Sequence, residues 1–320
     1  MNQIISCDWG TSALRLRVVD ADKVSVLTEI KSADGILSSF QTWKESGNHN
    51  RLAFYQAILL GGIKKLEHQL HSSLREVPIV ISGMASSGIG MMELPYKQIP
   101  FTLDKPSLHV EQIKATADFH HSVLLISGIK TTDDVMRGEE TQLIGCFDEE
   151  SKGQHLFIFP GTHSKHVTVE NKIVVDFKTY MTGEFFDLLS TKSVLTSSVK
   201  KGEHGLNDSA NRKIFEKSVL ESGQSNLLHH CFLVRTNELF RKCTPQQNYY
   251  YLSGLLIGSE LRELNAQNKT AVTLVATGEI EVLYTTAIHE LGIVRAQDLT
   301  IKDSEAALVN GHARIARQLL

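Results

Sequence analysis

The sequence predicts an α/β protein built from two similar lobes around a cleft. Three observations lead there. Short apolar strand patterns alternate with stretches of helical spacing along the chain. An order of strand, Gly-Thr turn, strand, short turn, strand opens the chain and starts again at His155. The 320 residues are enough for two cores.

Composition narrows the function classes. Hydrophobic residues make up 42%, charged 22% and aromatic 7%, which excludes whole-chain disorder. Thirty-six acids against 33 bases leave a net charge of −3, so there is no basic footprint for a nucleic-acid partner. The four cysteines (Cys7, Cys146, Cys231, Cys243) form no CxxC pair. A disulfide scaffold or zinc site is therefore not expected, and a reducing, cytoplasmic setting fits. The start MNQIISCDWG has no basic stretch followed by a long apolar run, so it does not read as a signal peptide. No apolar run approaches the roughly 18 residues needed to cross a bilayer, so no membrane partner is expected.

The elements follow in order. Ile4 to Val19 reads as two strands broken at Gly10-Thr11-Ser12, and Val24 to Ile30 as a third. Phe54, Tyr55, Ile58, Leu59, Ile63, Leu66 and Leu70 recur at helical spacing over Arg51–Leu70. Pro78–Ile81 is a buried strand running into the small-residue loop Ser82–Gly88. Val123–Ile126 is another strand, followed by a helix over Glu139–Phe147. After His155 come strands at Leu156–Phe159, Lys165–Val169 and Lys172–Phe177, with Gly161-Thr162 offset by 151 residues from Gly10-Thr11. Gly183–Leu189 and Tyr249–Leu264 read as helices, and the small residues of Ser253–Gly258 allow close packing. Residues 200–245 are polar and poorly periodic, which suggests an insertion. Thr270–Val275 is a strand, Glu279–Leu291 a helix, and Asp303-Ser304 can cap a last helix to Leu319. The expected division is a first lobe over 1–133, a second over 134–303, and a C-terminal helix at 304–320 packing back toward the interlobe region.

Five constellations can carry chemistry, and each has a plainer reading. Asp8-Trp9-Gly10-Thr11-Ser12, with Arg15 downstream, suits a turn whose N–H groups meet phosphate oxygens while the carboxylate holds Mg²⁺. It equally suits an ordinary hairpin. Pro160-Gly161-Thr162-His163-Ser164-Lys165 is the matching turn, and two such turns at corresponding places weaken the hairpin reading. Arg137-Gly138-Glu139-Glu140 offers a general base beside a cation for an anionic substrate; it also suits a helix start with acids at its positive end. The two acids point about 100° apart, so only one would act. Met181-Thr182-Gly183-Glu184 either lines the cleft or starts a helix with Thr182 as its cap. Ala276-Thr277-Gly278, before a helix containing Tyr284, could approach a nucleoside. The pairs His120-His121 and His229-His230 read as surface pairs rather than metal ligands. No G-x-S-x-G elbow, Walker A loop or G-x-G-x-x-G after the first strand is present.

Together, DWGTSALR (8–15), SGMASSGIG (82–90), VMRGEETQLIG (135–145), PGTHSK (160–165), MTGE (181–184), SGLLIG (253–258) and TLVATGEIEVLYTTAI (273–288) resemble the 2-dehydro-3-deoxygalactonokinase family. The resemblance implies two duplicated actin-like ATPase (ribonuclease H-like) lobes with an interlobe cleft. It implies ATP-dependent phosphorylation of 2-dehydro-3-deoxy-D-galactonate at the 6-hydroxyl, within galactonate breakdown. The implied cofactors are ATP and Mg²⁺. Asp8 would hold the metal; Gly10, Thr11, Ser12, Gly161 and Thr162 would hold phosphates; Gly278 and Tyr284 would border the nucleoside. Glu139 would be the base, with Glu140 in reserve. Arg137, Met84, Ala85, Thr182 and Glu184 would face the sugar acid. Gly88-Ile89-Gly90-Met91-Met92 and residues 200–245 depart from the family pattern, which bears on the acid accepted. Other readings are an actin-fold kinase for another sugar or acid, a sensor that binds without phosphoryl transfer, and an exopolyphosphatase-like hydrolase. A homodimer is compatible, although no residue points to its interface.

Overall fold

The computed structural model describes residues 2–103, 107–148, 152–224, 226–264 and 271–320. The chain forms two compact units. One comprises Met1–Lys152, Asn171–Asp176 and Glu305–Leu320; the other comprises Gly153–Glu170 and Phe177–Ser304.

The first unit opens with β1 (Gln3–Trp9), β2 (Leu14–Asp20) and β3 (Ser25–Ser32), followed by α1 (Ile36–Glu45), α2 (Arg51–Leu70) and β4 (Ile79–Gly83). After these come β5 (Lys97–Gln98), β6 (Phe101–Thr102), β7 (Val110–Ile113), β8 (Val123–Ile126), β9 (Ile129–Lys130), β10 (Val135–Met136) and α3 (Glu139–Cys146). Its large sheet has the order β3-β2-β1-β4-β8-β7. β1 is antiparallel to β2 and parallel to β4, which is parallel to β8. Trp9, Leu16, Tyr55, Leu59 and Leu66 are among the side chains that build the core between the sheet and α2. A small second sheet runs β10-β9-β5.

In the second unit, β11 (Gln154–Phe159), β12 (Ser164–Glu170) and β13 (Ile173–Tyr180) lead into α4 (Thr182–Lys192), α5 (Ser209–Glu221), α6 (Leu227–Leu239) and α7 (Pro245–Leu261). β14 (Ala271–Val275), α8 (Glu279–Glu290) and β15 (Leu299–Lys302) complete it. The strands follow the order β15-β14-β11-β12-β13. Ile173 and Val174, at the start of β13, belong to the first unit and pair there with Thr102 and Phe101 of β6.

The order β13-β12-β11-β14-β15 repeats β3-β2-β1-β4-β8, with the same antiparallel and parallel senses around β11 as around β1. This is the duplicated ribonuclease H-like arrangement of the actin-like ATPases.

The polar stretch 200–245 contains α5 and α6. Both pack on α7, where a Cβ on Gly254 would lie 2.6 Å from the Phe215 carbonyl oxygen and one on Gly258 2.9 Å from that of Val219. Those two glycines let α5 approach α7 at backbone distance. Ser225 of that stretch, and Thr270 at the expected start of β14, lie outside the described residues.

The last helix, α9 (Ser304–Leu319), joins the first unit from Glu305 onward. Its His312 is fully buried between Ser6 on β1 (Nδ1 to Oγ, 2.7 Å) and Ser82 on β4 (Nε2 to Oγ, 2.9 Å). Burial, aided by the Arg17 charge, pushes this imidazole down to about 3, so it stays neutral at physiological pH.

Candidate active site

In the first unit, Asp8 occupies the penultimate position of β1, and the turn after Trp9 is closed by Gly10 N–H donating to Ala13 O (2.9 Å). Thr11 and Ser12 are exposed. The turn is backed by the start of α1: Ile36 N–H donates to Gly10 O (2.9 Å) and Leu37 N–H to Thr11 O (3.1 Å). Gly35 is required there, because a Cβ would overlap the Thr11 and Ser12 backbone. Asp8 Oδ2 accepts from Arg15 Nη1 (3.2 Å). Burial pushes the Asp8 carboxyl up, while Arg15 and then Arg17 pull it down.

β4 carries the next part. Asp8 lies opposite Ser82, and Trp9 opposite Gly83. Gly83 has φ +87, and a Cβ there would sit 2.8 Å from Trp9 O and 3.6 Å from Asp8 Oδ1. Gly138 has φ +112, and its missing Cβ would lie 3.7 Å from Gly83 Cα. Two glycines in backbone conformations closed to other residues therefore bring the start of α3 against the end of β4, the strand beside that of Asp8.

The two acids at that start have different surroundings. Glu140 is fully buried; its oxygens accept from Gly138 N–H (2.7 Å) and the Thr141 hydroxyl (3.1 Å). Burial first, and the neighbouring Glu139 second, push its carboxyl up to about 8. Glu139 is half-buried and accepts from Arg137 N–H (3.2 Å). The Arg137 guanidinium lies 4.5 Å from the Tyr96 ring centre. Its Nε and Nη1 are buried and have no hydrogen-bond partner among the described residues. Of the loop residues expected at the substrate, Met84 is half-buried, whereas Ala85 is closed into the core.

The second unit repeats the device. Gly161, Thr162 and His163 are exposed after β11. The start of α4 backs this turn as α1 backs the first: Glu184 N–H donates to Thr162 O (3.0 Å), and a Cβ on Gly183 would lie 2.8 Å from Thr162 Cα. Glu184 Oε2 pairs with His163 Nε2 at 2.6 Å.

Thr182 is not a cap. The cap position belongs to Met181, and the Thr182 hydroxyl donates instead to Glu260. Glu260, buried on α7, also accepts from Tyr284 Oη (2.6 Å) and pairs with His166 Nε2 (2.8 Å). Tyr284 Oη further meets Ser164 Oγ (2.9 Å), so this carboxyl ties α4, α7, α8 and β12 together. Burial, then the Glu260 carboxylate, raise the Tyr284 phenol far above its usual range.

A pocket opens there, lined by Gly161, Thr182, Tyr249, Tyr284 and apolar side chains of α4, α7 and α8. Gly278, at φ +72, is exposed with open space where its Cβ would be. Thr277 Oγ1 accepts from Ser304 N–H (3.1 Å) and donates to Asp303 (3.0 Å), which fixes the start of α9.

Sequence reasoning missed Gly35, Gly83, Tyr96 and Glu260. Two of them left a signal: Gly83 sits in the small-residue loop Ser82–Gly88, and Glu260 is an acid in the apolar second half of α7. The histidine pairs are not surface pairs. One member of each pair is buried: His121, with Nδ1 at 2.8 Å from Val77 O, and His230 on α6, whereas His120 is half-buried and His229 exposed. No cluster of three or more metal-ligating side chains occurs among the described residues. Nor is any described helix long and apolar enough to cross a membrane.

The family model for 2-keto-3-deoxy-galactonokinase matches residues 8–315. The chain is 32% identical over 300 residues to the Probable 2-dehydro-3-deoxygalactonokinase DgoK1 of Rhizobium meliloti, covering 91% of this chain and 90% of that protein. It is 30% identical over 249 residues to the 2-dehydro-3-deoxygalactonokinase of Escherichia coli, covering 75% and 79%. A crystal structure of a Sinorhizobium meliloti protein named for the same activity superposes with a TM-score of 0.82 at 28% identity, covering 99% of this chain and 96% of that one. With the match running from the Asp8 strand to the last helix, the chain belongs to the 2-keto-3-deoxy-galactonokinase family.

Proposed function

We propose that this protein transfers the γ-phosphoryl group of ATP to the 6-hydroxyl of 2-dehydro-3-deoxy-D-galactonate. Membership in a kinase family carries ATP as the donor. The observation that supports the acceptor is Arg137, whose guanidinium has buried, unpartnered atoms and whose backbone N–H donates to the half-buried Glu139 carboxylate. A buried cationic donor left unpaired is costly, and a ligand carboxylate would satisfy it in two places.

The chain's own residues would act as follows. Arg137 binds the sugar-acid carboxylate. Glu139 accepts the proton of the attacking hydroxyl as its oxygen bonds to phosphorus and the bond to the β-phosphate oxygen breaks, releasing ADP. Glu140 is unsuited to that role, since burial holds its oxygens on Gly138 and Thr141. Thr11 and Ser12 in the first unit, and Gly161 and Thr162 in the second, present exposed turns to phosphate oxygens. Met84 is proposed to face the acid; Thr182, expected at the acid, lines the pocket with Tyr284 instead, and Tyr284 and Gly278 are proposed to border the nucleoside.

Asp8 fits Mg²⁺. Its Oδ1 has no hydrogen-bond partner among the described residues, and this ion is commonly held by one or two carboxylates plus substrate phosphates. When bound, the ion would neutralise charge on the transferring phosphates. A cytoplasmic location suits a consumer of ATP.

The test is an ADP-release assay with Mg²⁺, run with the galactonate acid, its gluconate epimer, neutral sugars and no acceptor. Release that requires the galactonate acid, with a 6-phosphorylated product, is expected. Release with only another acceptor would move the substrate, and release with none would replace the kinase reading by a hydrolase.

A further inference from the structure

The small sheet β10-β9-β5 has a consequence for Arg137. Lys97 pairs with Ile129, and Ile129 with Met136. One step beyond that row lie Tyr96, Gly128 and Arg137, side by side at one end of the sheet with the glycine in the middle. The Tyr96 ring crosses over Gly128 and faces the Arg137 guanidinium at 4.5 Å. Only glycine allows this crossing: a Cβ at 128 would overlap the Met136 carbonyl and lie 2.9 Å from Tyr96 Cε1. Lys97 N–H donates to Gly128 O (3.0 Å), which fixes the ring's own backbone to the same row.

We propose that Tyr96 is a positioning residue that sets the affinity of the site for the sugar acid by holding the Arg137 guanidinium against its π face. The inference rests on the reading of Arg137 as the carboxylate binder. An arginine side chain has several soft torsions, and its hydrogen bonds reward a ligand only if the fork is already placed. The ring supplies that placement by cation–π attraction without consuming a guanidinium N–H. The buried Nε and Nη1 are thus kept in place and still unpaired.

The experiment compares Tyr96→Leu, Tyr96→Phe and Arg137→Gln in steady-state kinetics with both substrates. Tyr96→Leu is expected to raise KM for the sugar acid roughly 3- to 30-fold while KM for ATP stays at the wild-type value. Tyr96→Phe, which keeps the ring and loses the hydroxyl, should restore the sugar-acid KM. An unchanged sugar-acid KM in Tyr96→Leu would overturn the proposal. So would equal losses in Leu and Phe, or a parallel rise in KM for ATP, which would mark a structural role. Arg137→Gln separates the two levels. If it raises the sugar-acid KM while Tyr96→Leu does not, only the role of Tyr96 fails. If it leaves that KM unchanged, the carboxylate reading fails and this inference with it.

Discussion

Adjacent acids at the start of α3 show how far a single residue step along a helix can separate two chemically identical groups. Glu139 and Glu140 differ by a single position, yet one is half-buried and the other fully buried. Glu139→Gln is expected to lower turnover roughly 10²- to 10⁴-fold with ATP binding retained, measured by steady-state rates and nucleotide titration. Glu140 predicts a different observable. Its carboxyl is raised from 4.5 to about 8, so the folded state keeps a proton that the unfolded state releases. Its stabilisation is fully present below about 4.5 and is lost as pH rises through about 8. Melting temperature should therefore fall between those limits, and the fall should be shallower in Glu140→Gln. Equal slopes in the two proteins would remove Glu140 as the source. The sequence showed that the acids diverge by about 100°, since that follows from helix geometry. Which of them turned inward depends on α9 and the core behind α3, and no local pattern encodes that.

Elements carried most of what was legible. Strands β1–β4, β8 and β11–β14, and helices α2, α3, α7 and α8, announce themselves by period and by glycine. Helices α5 and α6 did not. α5 is rich in polar residues, and α6 places apolar side chains on both its buried and its exposed faces, as with Val234 inside and Phe232 outside. A helix of either kind has no clean apolar stripe to read. The alignment of Tyr96, Gly128 and Arg137 was equally invisible, because it arises only when three segments pair across 41 positions of chain. Close helix contact makes its own prediction. α3 and α9 cross at Gly145 and Gly311, where added Cβ atoms would overlap the backbone at Ala307 and Thr141. Gly311→Ala should destabilise by roughly 1–3 kcal/mol or more, read as a shift in denaturant midpoint. Because α3 carries Glu139 at its first turn, turnover should fall with it, whereas a surface change such as Glu290→Ala should leave both unchanged.

At the scale of the whole molecule, the duplication is deeper than strand order. Both exposed turns are backed by the start of the following helix through an N–H to a threonine carbonyl, Leu37 to Thr11 and Glu184 to Thr162, with a glycine at the contact each time. The duplication stops at α9, which is donated to the first unit by the far end of the chain. There it buries Ala307, Leu308, Val309, Ala313, Ile315 and Ala316, places His312 between β1 and β4, and spends Arg314 on the carbonyls of Ile144 and Phe147. Stripping six apolar side chains removes several kcal/mol at about 25 cal/mol per Å², a large share of a typical domain stability of about 5–15 kcal/mol. The second unit has its own core around Phe215, Tyr250, Leu274 and Tyr284, to which α9 contributes nothing. A chain ending at Asp303 should therefore lose the first unit and keep the second. Limited proteolysis followed by mass spectrometry should find rapid cleavage within residues 2–152 and a resistant fragment over about 153–303. Uniform resistance would mean that α9 is dispensable to the first core. Uniform digestion would mean that the second unit's core does not stand without it.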